Sequence, residues 1–254
     1  MFDFEKKFDR IYCLSLSDNI ERRKQAVPDF ERVGIIGPNF EWKLTVRNSF
    51  YKYIWNNPGF KIESWWKDNE TALNCTMGHY EIMKESLAIG YDHVLILEDD
   101  CRFHKSERFV WDVFENTPED YDICLYDKFV PIPHVQVLDA MRTRKVNNMF
   151  FDFSSVKLWS CACYALSRKA MESIVVEQER FFQPADHSIN RVDNFGKVLK
   201  DDGLVRVAAI KNAAVQEFFG KKYGSEQAMR LDNFIYTDIA ERDEYNVATV
   251  KNQI

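Results

Sequence analysis

Residues Val94 to Leu97 form an unbroken apolar run, VLIL, that ends on three consecutive carboxylates, Glu98, Asp99 and Asp100. A strand with one wet face alternates apolar and polar residues, so a continuous run predicts a strand covered on both faces, as in a parallel sheet between helix layers. Open α/β sheets bind ligands outside the carboxyl ends of their strands. The run therefore constrains the fold to the α/β class and puts a charged tip where a ligand would sit.

The flanking sequence supplies the alternating elements such a sheet needs. RIYCLSL, Arg10 to Leu16, reads as a first strand, and SDNIERRKQAVPDFERVGI as the helix after it. Asp18 stands three residues before Glu21, the spacing of a capping box, which predicts a helix start just after Asp18. Pro28 is expected to kink or divide that helix before Gly34. FEWKLTV, Phe40 to Val46, reads as a second strand, and Arg47 to Asn69 as a long loop, either a ligand wall or a packed excursion. Thr71 to Ile89 is periodic, with Leu73, Met77, Tyr80, Met83 and Leu87 on one face and Gly90 at its end. Beyond the acidic run, ERFVWDVFENTP and RKAMESIVVEQE read as helices. YDICLY, NMFFDF, KLWSCACYALS and LVRVAAI read as strands, and Pro184 opens a further helix. At 254 residues, 46% hydrophobic, the chain has enough material for one well-packed domain, read as 1–254 with a weakly patterned tail after about 221.

Charge and cysteine usage exclude several classes. A net charge of −6 argues against a nucleic-acid partner. The start, MFDFEKKFDR, lacks the apolar stretch of a signal peptide, and no run approaches the roughly 20 apolar residues of a membrane span. The expectation is a cytoplasmic protein with at most peripheral membrane association. Six cysteines, at 13, 75, 101, 124, 161 and 163, lie in apolar segments without a CxxC pair, so neither a zinc site nor a disulfide framework is indicated. The sequon at Asn74 falls inside the periodic helix and is read as chance.

Along an extended chain Glu98 and Asp100 share a face, with Asp99 opposite. Two like charges so placed need a cation or donor groups to offset their repulsion. Carboxylate oxygens suit Mg²⁺ or Mn²⁺, ions that commonly bridge a protein carboxylate to substrate phosphates. The plainer alternative is that the acids merely end a strand and begin a loop.

The block NCTMGHYEIMKESLAIGYDHVLILEDDCRF resembles the hallmark segment of glycosyltransferase family 25, which contains lipooligosaccharide and collagen galactosyltransferases. IYCLSLSDNIERRKQAVPDFERVGI is similar to that family's first strand and Arg-containing helix. WSCACYALSRKAMESIV and PADHSIN are similar to its later strand-helix unit and its Pro-x-Asp step. This chain has Gly78 where the family usually has Ser, and Asn74 where Gly is common. The resemblance implies a GT-A fold, a Rossmann-like nucleotide-sugar-binding sheet flanked by helices. The implied activity is metal-dependent transfer of a sugar, galactose in most of the family, from a UDP-sugar, with inversion. The acceptor would be a glycan, a glycolipid or a protein hydroxyl.

Under that resemblance Asp100 and Glu98 are the expected Mn²⁺ or Mg²⁺ ligands, and Asp99 orients ribose or an outer water. Ser17, Asp18, Arg22 and Arg23 lie where a nucleotide would meet the start of a helix; for the arginines a solvated helix face is the alternative. Gly78 and His79 fall in the donor site by the match, although His79 also reads as a satisfied core histidine. Asp186 is the candidate base for the acceptor hydroxyl, with a helix-capping role equally compatible. Asp152 and Asp193 stand in reserve. Two other functions use the same acids: a lapsed member that binds nucleotide or glycan without turnover, and a nucleotide-sugar phosphohydrolase.

Overall fold

The structure, a computed structural model, describes residues 2–46, 70–128, 135–159, 161–180, 182–192, 198–199 and 202–216. The expected loop over Arg47 to Asn69, the tail after 221 and Asp193 lie outside the described residues. The elements are α1 (Phe4–Lys7), β1 (Arg10–Leu16), α2 (Ile20–Val33), β2 (Phe40–Thr45), α3 (Glu70–Ile89), β3 (His93–Glu98), β4 (Cys101–Phe103) and α4 (Glu107–Glu115). They continue with β5 (Ile123–Leu125), α5 (Val135–Thr143), β6 (Phe150–Asp152), β7 (Cys163–Ser167), α6 (Arg168–Arg180), α7 (Ala185–Ile189), β8 (Arg206–Ala209) and β9 (Ala214–Gln216).

Seven strands form one mixed sheet in the order β2-β1-β3-β7-β5-β8-β6, flanked by helices, and β4 and β9 form a small antiparallel pair. The pairs β1–β2, β1–β3 and β5–β8 are parallel; β7 runs against both β3 and β5, and β6 against β8. The fold is thus the expected α/β class, with a helix layer on each face of the sheet.

Two apolar clusters account for the unbroken apolar strand. Val94 and Ile96 join Tyr12, Leu14, Met77 and Met83 on the face covered by α3, α5, α6 and α7. Leu95 and Leu97 join Ile11, Cys13, Phe30 and Phe114 on the face covered by α1, α2 and α4. Alternate residues serve opposite cores, so neither set is free to be polar. Burying a side chain of this size stabilises by about 1.5–3 kcal/mol, which is what holds the acidic tip in register.

Two local expectations are corrected. The first residue before α2 is Asn19, not Asp18; it makes no side-chain cap, and its amide N–H₂ donates to Asp99. Pro28 does not divide α2, which runs on to Val33; its exposed ring lies on the solvent side, and Gly34, at φ 83°, ends the helix in the left-handed region. Pro184 stands at a helix start as expected, in the N-cap position of the five-residue α7. α1, α5, β4 and β9 carried too little periodicity to be read from the sequence. Among the described residues no helix is long and apolar enough to cross a membrane.

Candidate active site at the carboxyl edge of the sheet

β1, β2, β3, β5 and β8 all point the same way, so their carboxyl ends share one edge, and β7, running oppositely, begins there. This edge gathers Ser15 to Asn19, Glu98 to Asp100 and Cys161. Asp152 ends β6, which runs against β8, and so lies toward the other edge, where Arg144 pairs with it.

β3 stops at Glu98, and Asp99 and Asp100 occupy the turn that follows. The strict alternation expected for the three acids therefore ends with the strand: Arg22 Nη1 reaches both Asp99 Oδ1, at 3.1 Å, and Asp100 Oδ2, at 3.4 Å. Asp99 is buried and spent internally, since its Oδ2 also accepts from Ser15 Oγ at 2.7 Å and from Asn19 Nδ2 at 3.3 Å. Both of its oxygens hold the end of β1 and the start of α2. Arg23 is likewise structural, donating to Ser15 Oγ at 3.0 Å and to the Ser17 carbonyl at 2.9 Å. Ser17 is tied through its own N–H to the Thr45 carbonyl at 2.7 Å, and Asp18 lies in the turn between β1 and α2. Of the four residues expected around a nucleotide, Arg22 joins its side chain to the acidic turn, and about a third of it is exposed.

Glu98 faces away from α2, toward α3. Its Oε1 accepts from His79 Nε2 at 2.9 Å and from the thiols of Cys161 at 3.1 Å and Cys75 at 3.6 Å. Burial opposes ionisation of Glu98, but the His79 hydrogen bond and charge and the two thiols hold its carboxyl below the usual range. Burial pushes both thiols well up, and the Glu98 charge adds to that. His79 is fully enclosed and hydrogen-bonds Tyr164 Oη at 2.7 Å through Nδ1. This is the satisfied buried histidine, placed directly behind the acidic tip. Gly78 is not a ligand-facing residue: a Cβ there would stand 2.4 Å from Leu14 Cδ1 and 3.2 Å from Thr45 Cγ2. Its lack of a side chain lets α3 close on the ends of β1 and β2.

Asp186 lies in α7 with its Oδ1 accepting from the His187 N–H at 3.0 Å; Pro184, not Asp186, occupies the capping position. Ala185 N–H donates to Thr76 Oγ1 at 3.1 Å, which ties α7 to the same turn of α3 that carries Cys75. Burial raises the Asp186 carboxyl above the usual range, His187 pulls it down, and the Glu98 charge raises it further. The charges of Glu98, Asp100 and Asp186 all add to the upward push that burial gives the Cys75 thiol. The hard oxygen donors of these carboxylates suit Mg²⁺ or Mn²⁺. Ser15, Asn19 and Tyr164 were not singled out from sequence, and Cys75 and Cys161 were read as buried thiols, Cys161 with Cys163 as core rather than chemistry; Ser15 and Asn19, adjacent to the expected nucleotide residues, had a positional clue.

The fold and site define an α/β protein with an acidic ligand edge. No protein-family model matches the sequence and no curated protein matches it, so the likeness to family 25 stands as a resemblance. Among solved structures, a galactosyltransferase, LgtC, in complex with donor and acceptor sugar analogues is 11% identical with a TM-score of 0.38, over 92% of this chain and 99% of that one. A glycosyltransferase involved in the glycosylation of the major capsid of PBCV-1 is 11% identical with a TM-score of 0.38, over 93% and 98%. The glycosyltransferase GlyE of Streptococcus pneumoniae TIGR4, in its apo form, is 11% identical with a TM-score of 0.37, over 95% and 64%. At such scores none of these likenesses assigns a function to this chain.

Proposed function

We propose that this chain is a metal-dependent glycosyltransferase of the GT-A type that moves a sugar, galactose by the family resemblance, from a UDP-sugar to a hydroxyl of a glycan, glycolipid or protein. The observation that carries the reading is the acidic turn itself: Asp99 is locked to β1 and α2, and this anchor presents Asp100 at the ligand edge beside Arg22.

Asp100 would hold the Mn²⁺ or Mg²⁺ ion, with the buried Glu98 behind it contributing charge more than a ligand atom. When bound, such an ion neutralises the charge that grows on the departing nucleoside diphosphate. Arg22, partly exposed beside Asp100, adds a positive charge on the same side. Asp186 takes the proton of the acceptor hydroxyl as the acceptor oxygen bonds to the anomeric carbon and the bond to the diphosphate breaks, a single displacement with inversion. Its raised carboxyl pKa makes it a better proton acceptor than an ordinary aspartate.

A panel of UDP- and GDP-sugars incubated with and without Mn²⁺, followed by chromatography of the nucleotide products, tests this. Metal-dependent release of nucleoside diphosphate supports transfer chemistry. Nucleoside monophosphate would identify a phosphohydrolase, and binding without any product would identify a lapsed enzyme.

A further inference from the structure

Four side chains with no motif spacing in common meet behind the acidic turn. Cys75 and His79 stand four residues apart on one face of α3, Glu98 ends β3, and Cys161 precedes β7. The ligand atoms of Cys75, His79 and Glu98 all lie within 4.8 Å of one another. Glu98 Oε1 is 2.9 Å from His79 Nε2, 3.6 Å from Cys75 Sγ and 3.1 Å from Cys161 Sγ, and Cys161 Sγ is 3.8 Å from His79 Nε2. A tetrahedral zinc ion with bonds of about 2.0–2.3 Å sets neighbouring ligand atoms roughly 3.3–3.8 Å apart. Those four separations reach that pattern with shifts of about half an ångström; Cys161 stands outside the group whose atoms all lie within 4.8 Å of one another, so the two thiols must draw together by about an ångström or more to share one ion.

We propose that Cys75, His79, Glu98 and Cys161 form a structural Zn²⁺ site that joins α3 to β3 and β7, separate from the hard-cation role assigned to Asp100. Two further observations support it. Metal-bound histidines almost always hydrogen-bond through their second nitrogen, which fixes the tautomer, and Tyr164 Oη lies 2.7 Å from His79 Nδ1 to do so. On binding the ion, the imidazole would carry its proton on Nδ1, toward Tyr164 Oη, and give up the Nε2 hydrogen bond to Glu98, so that the Nε2 lone pair becomes a ligand. The donor set is also soft: two thiols and an imidazole favour zinc over Mn²⁺ or Mg²⁺. Coordination releases the two thiol protons to solvent and leaves two thiolates, one carboxylate and a neutral imidazole around the ion. With four protein ligands the site has no position for a reacting water, so it holds structure rather than cleaving bonds. What it would hold is the base of the turn that carries Asp99 and Asp100.

The test is metal analysis of the purified full chain, then removal of metal with a strong chelator and titration with Co²⁺ alone. The expected result is one equivalent of zinc as purified, and a thiolate-to-cobalt band in the near ultraviolet with tetrahedral d–d absorption that added Zn²⁺ abolishes. Cys75→Ser and Cys161→Ser should each weaken that band and lower zinc affinity by more than about tenfold. Asp100→Asn should leave zinc content and the cobalt spectrum unchanged, so this site and the donor-metal assignment fail independently. Folded wild-type protein with well under one equivalent of zinc and no thiolate-to-cobalt band overturns the proposal without recourse to any variant. So does a band that survives intact in both cysteine variants, since the thiolates would then come from elsewhere in the chain.

Discussion

Substituting Asp99 and Asp100 one at a time, each by Asn, separates an anchor from a ligand although the two are adjacent and chemically identical. Asp99 accepts from Ser15 at 2.7 Å, from Arg22 at 3.1 Å and from Asn19 at 3.3 Å. A hydrogen bond to a buried charge contributes about 1.5–3 kcal/mol, which is the Ser15 term. The Arg22 pair is discounted to about 1 kcal/mol or less because that guanidinium is partly solvated, and the long Asn19 contact adds about 0.5 kcal/mol. Asn keeps one acceptor oxygen and turns an N–H₂ toward the other donors, so a net loss of about 2–3 kcal/mol follows for Asp99→Asn. In a chain of this size that lowers Tm by about 4–12 °C, readable by thermal or urea denaturation followed by circular dichroism. Asp100→Asn, whose contact with Arg22 is longer at 3.4 Å, should destabilise less than Asp99→Asn and lose Mn²⁺-dependent binding of nucleoside diphosphate by calorimetry. Equal stability of Asp99→Asn and wild type, or equal destabilisation by both changes, would refute the division of labour.

Asp186→Asn should keep nucleotide-sugar affinity and lower transfer by about 10²-fold or more in single-turnover assays with a competent acceptor; unchanged turnover removes Asp186 from the mechanism. Because burial and the Glu98 charge raise the Asp186 carboxyl, the acid limb of the rate profile should lie above the usual carboxylate range, and Glu98→Gln should move it to lower pH. Leu14→Ala costs about 2–5 kcal/mol alone, but the methyl of Gly78→Ala would enter the space vacated by Leu14 Cδ1, so a double-mutant cycle should show favourable coupling of about 1 kcal/mol or more, and additive values would contradict the packing. Asp202 lies 2.7 Å from both Arg191 Nε and Arg206 Nη2, two buried guanidiniums that hold its carboxyl below the usual range against the effect of burial. Its stabilisation is therefore full above the ordinary aspartate value of about 3.9 and is lost as pH falls through the lower folded value, and Asp202→Asn should cost about 3 kcal/mol or more at neutral pH in urea titrations.

The strands and long helices were legible because their burial is periodic and local. β1 was delimited correctly from RIYCLSL, and α3 to within one residue, since a one- or two-sided apolar pattern can be read without knowing the partner. The apolar run before Glu98 dictated a strand buried on both faces and an acidic tip at a ligand edge. It did not dictate what each acid would do. Glu98, Asp99 and Asp100 look equivalent along the chain, and they are differentiated by what the crossing elements bring: α2 supplies Asn19 and Arg22 to Asp99, α3 supplies His79 and Cys75 to Glu98, and the turn leaves Asp100 at the edge. Gly78 reads as a variation on a motif until the sheet is in place, when it becomes the spot where a methyl would strike Leu14. The cysteines show the same division, because Cys75 and Cys161 are 86 positions apart and share no spacing rule, yet both thiols end on one oxygen of Glu98. Local periodicity fixes which residues are buried; only the parallel and antiparallel pairing of β1, β3 and β7 decides which buried polar groups meet.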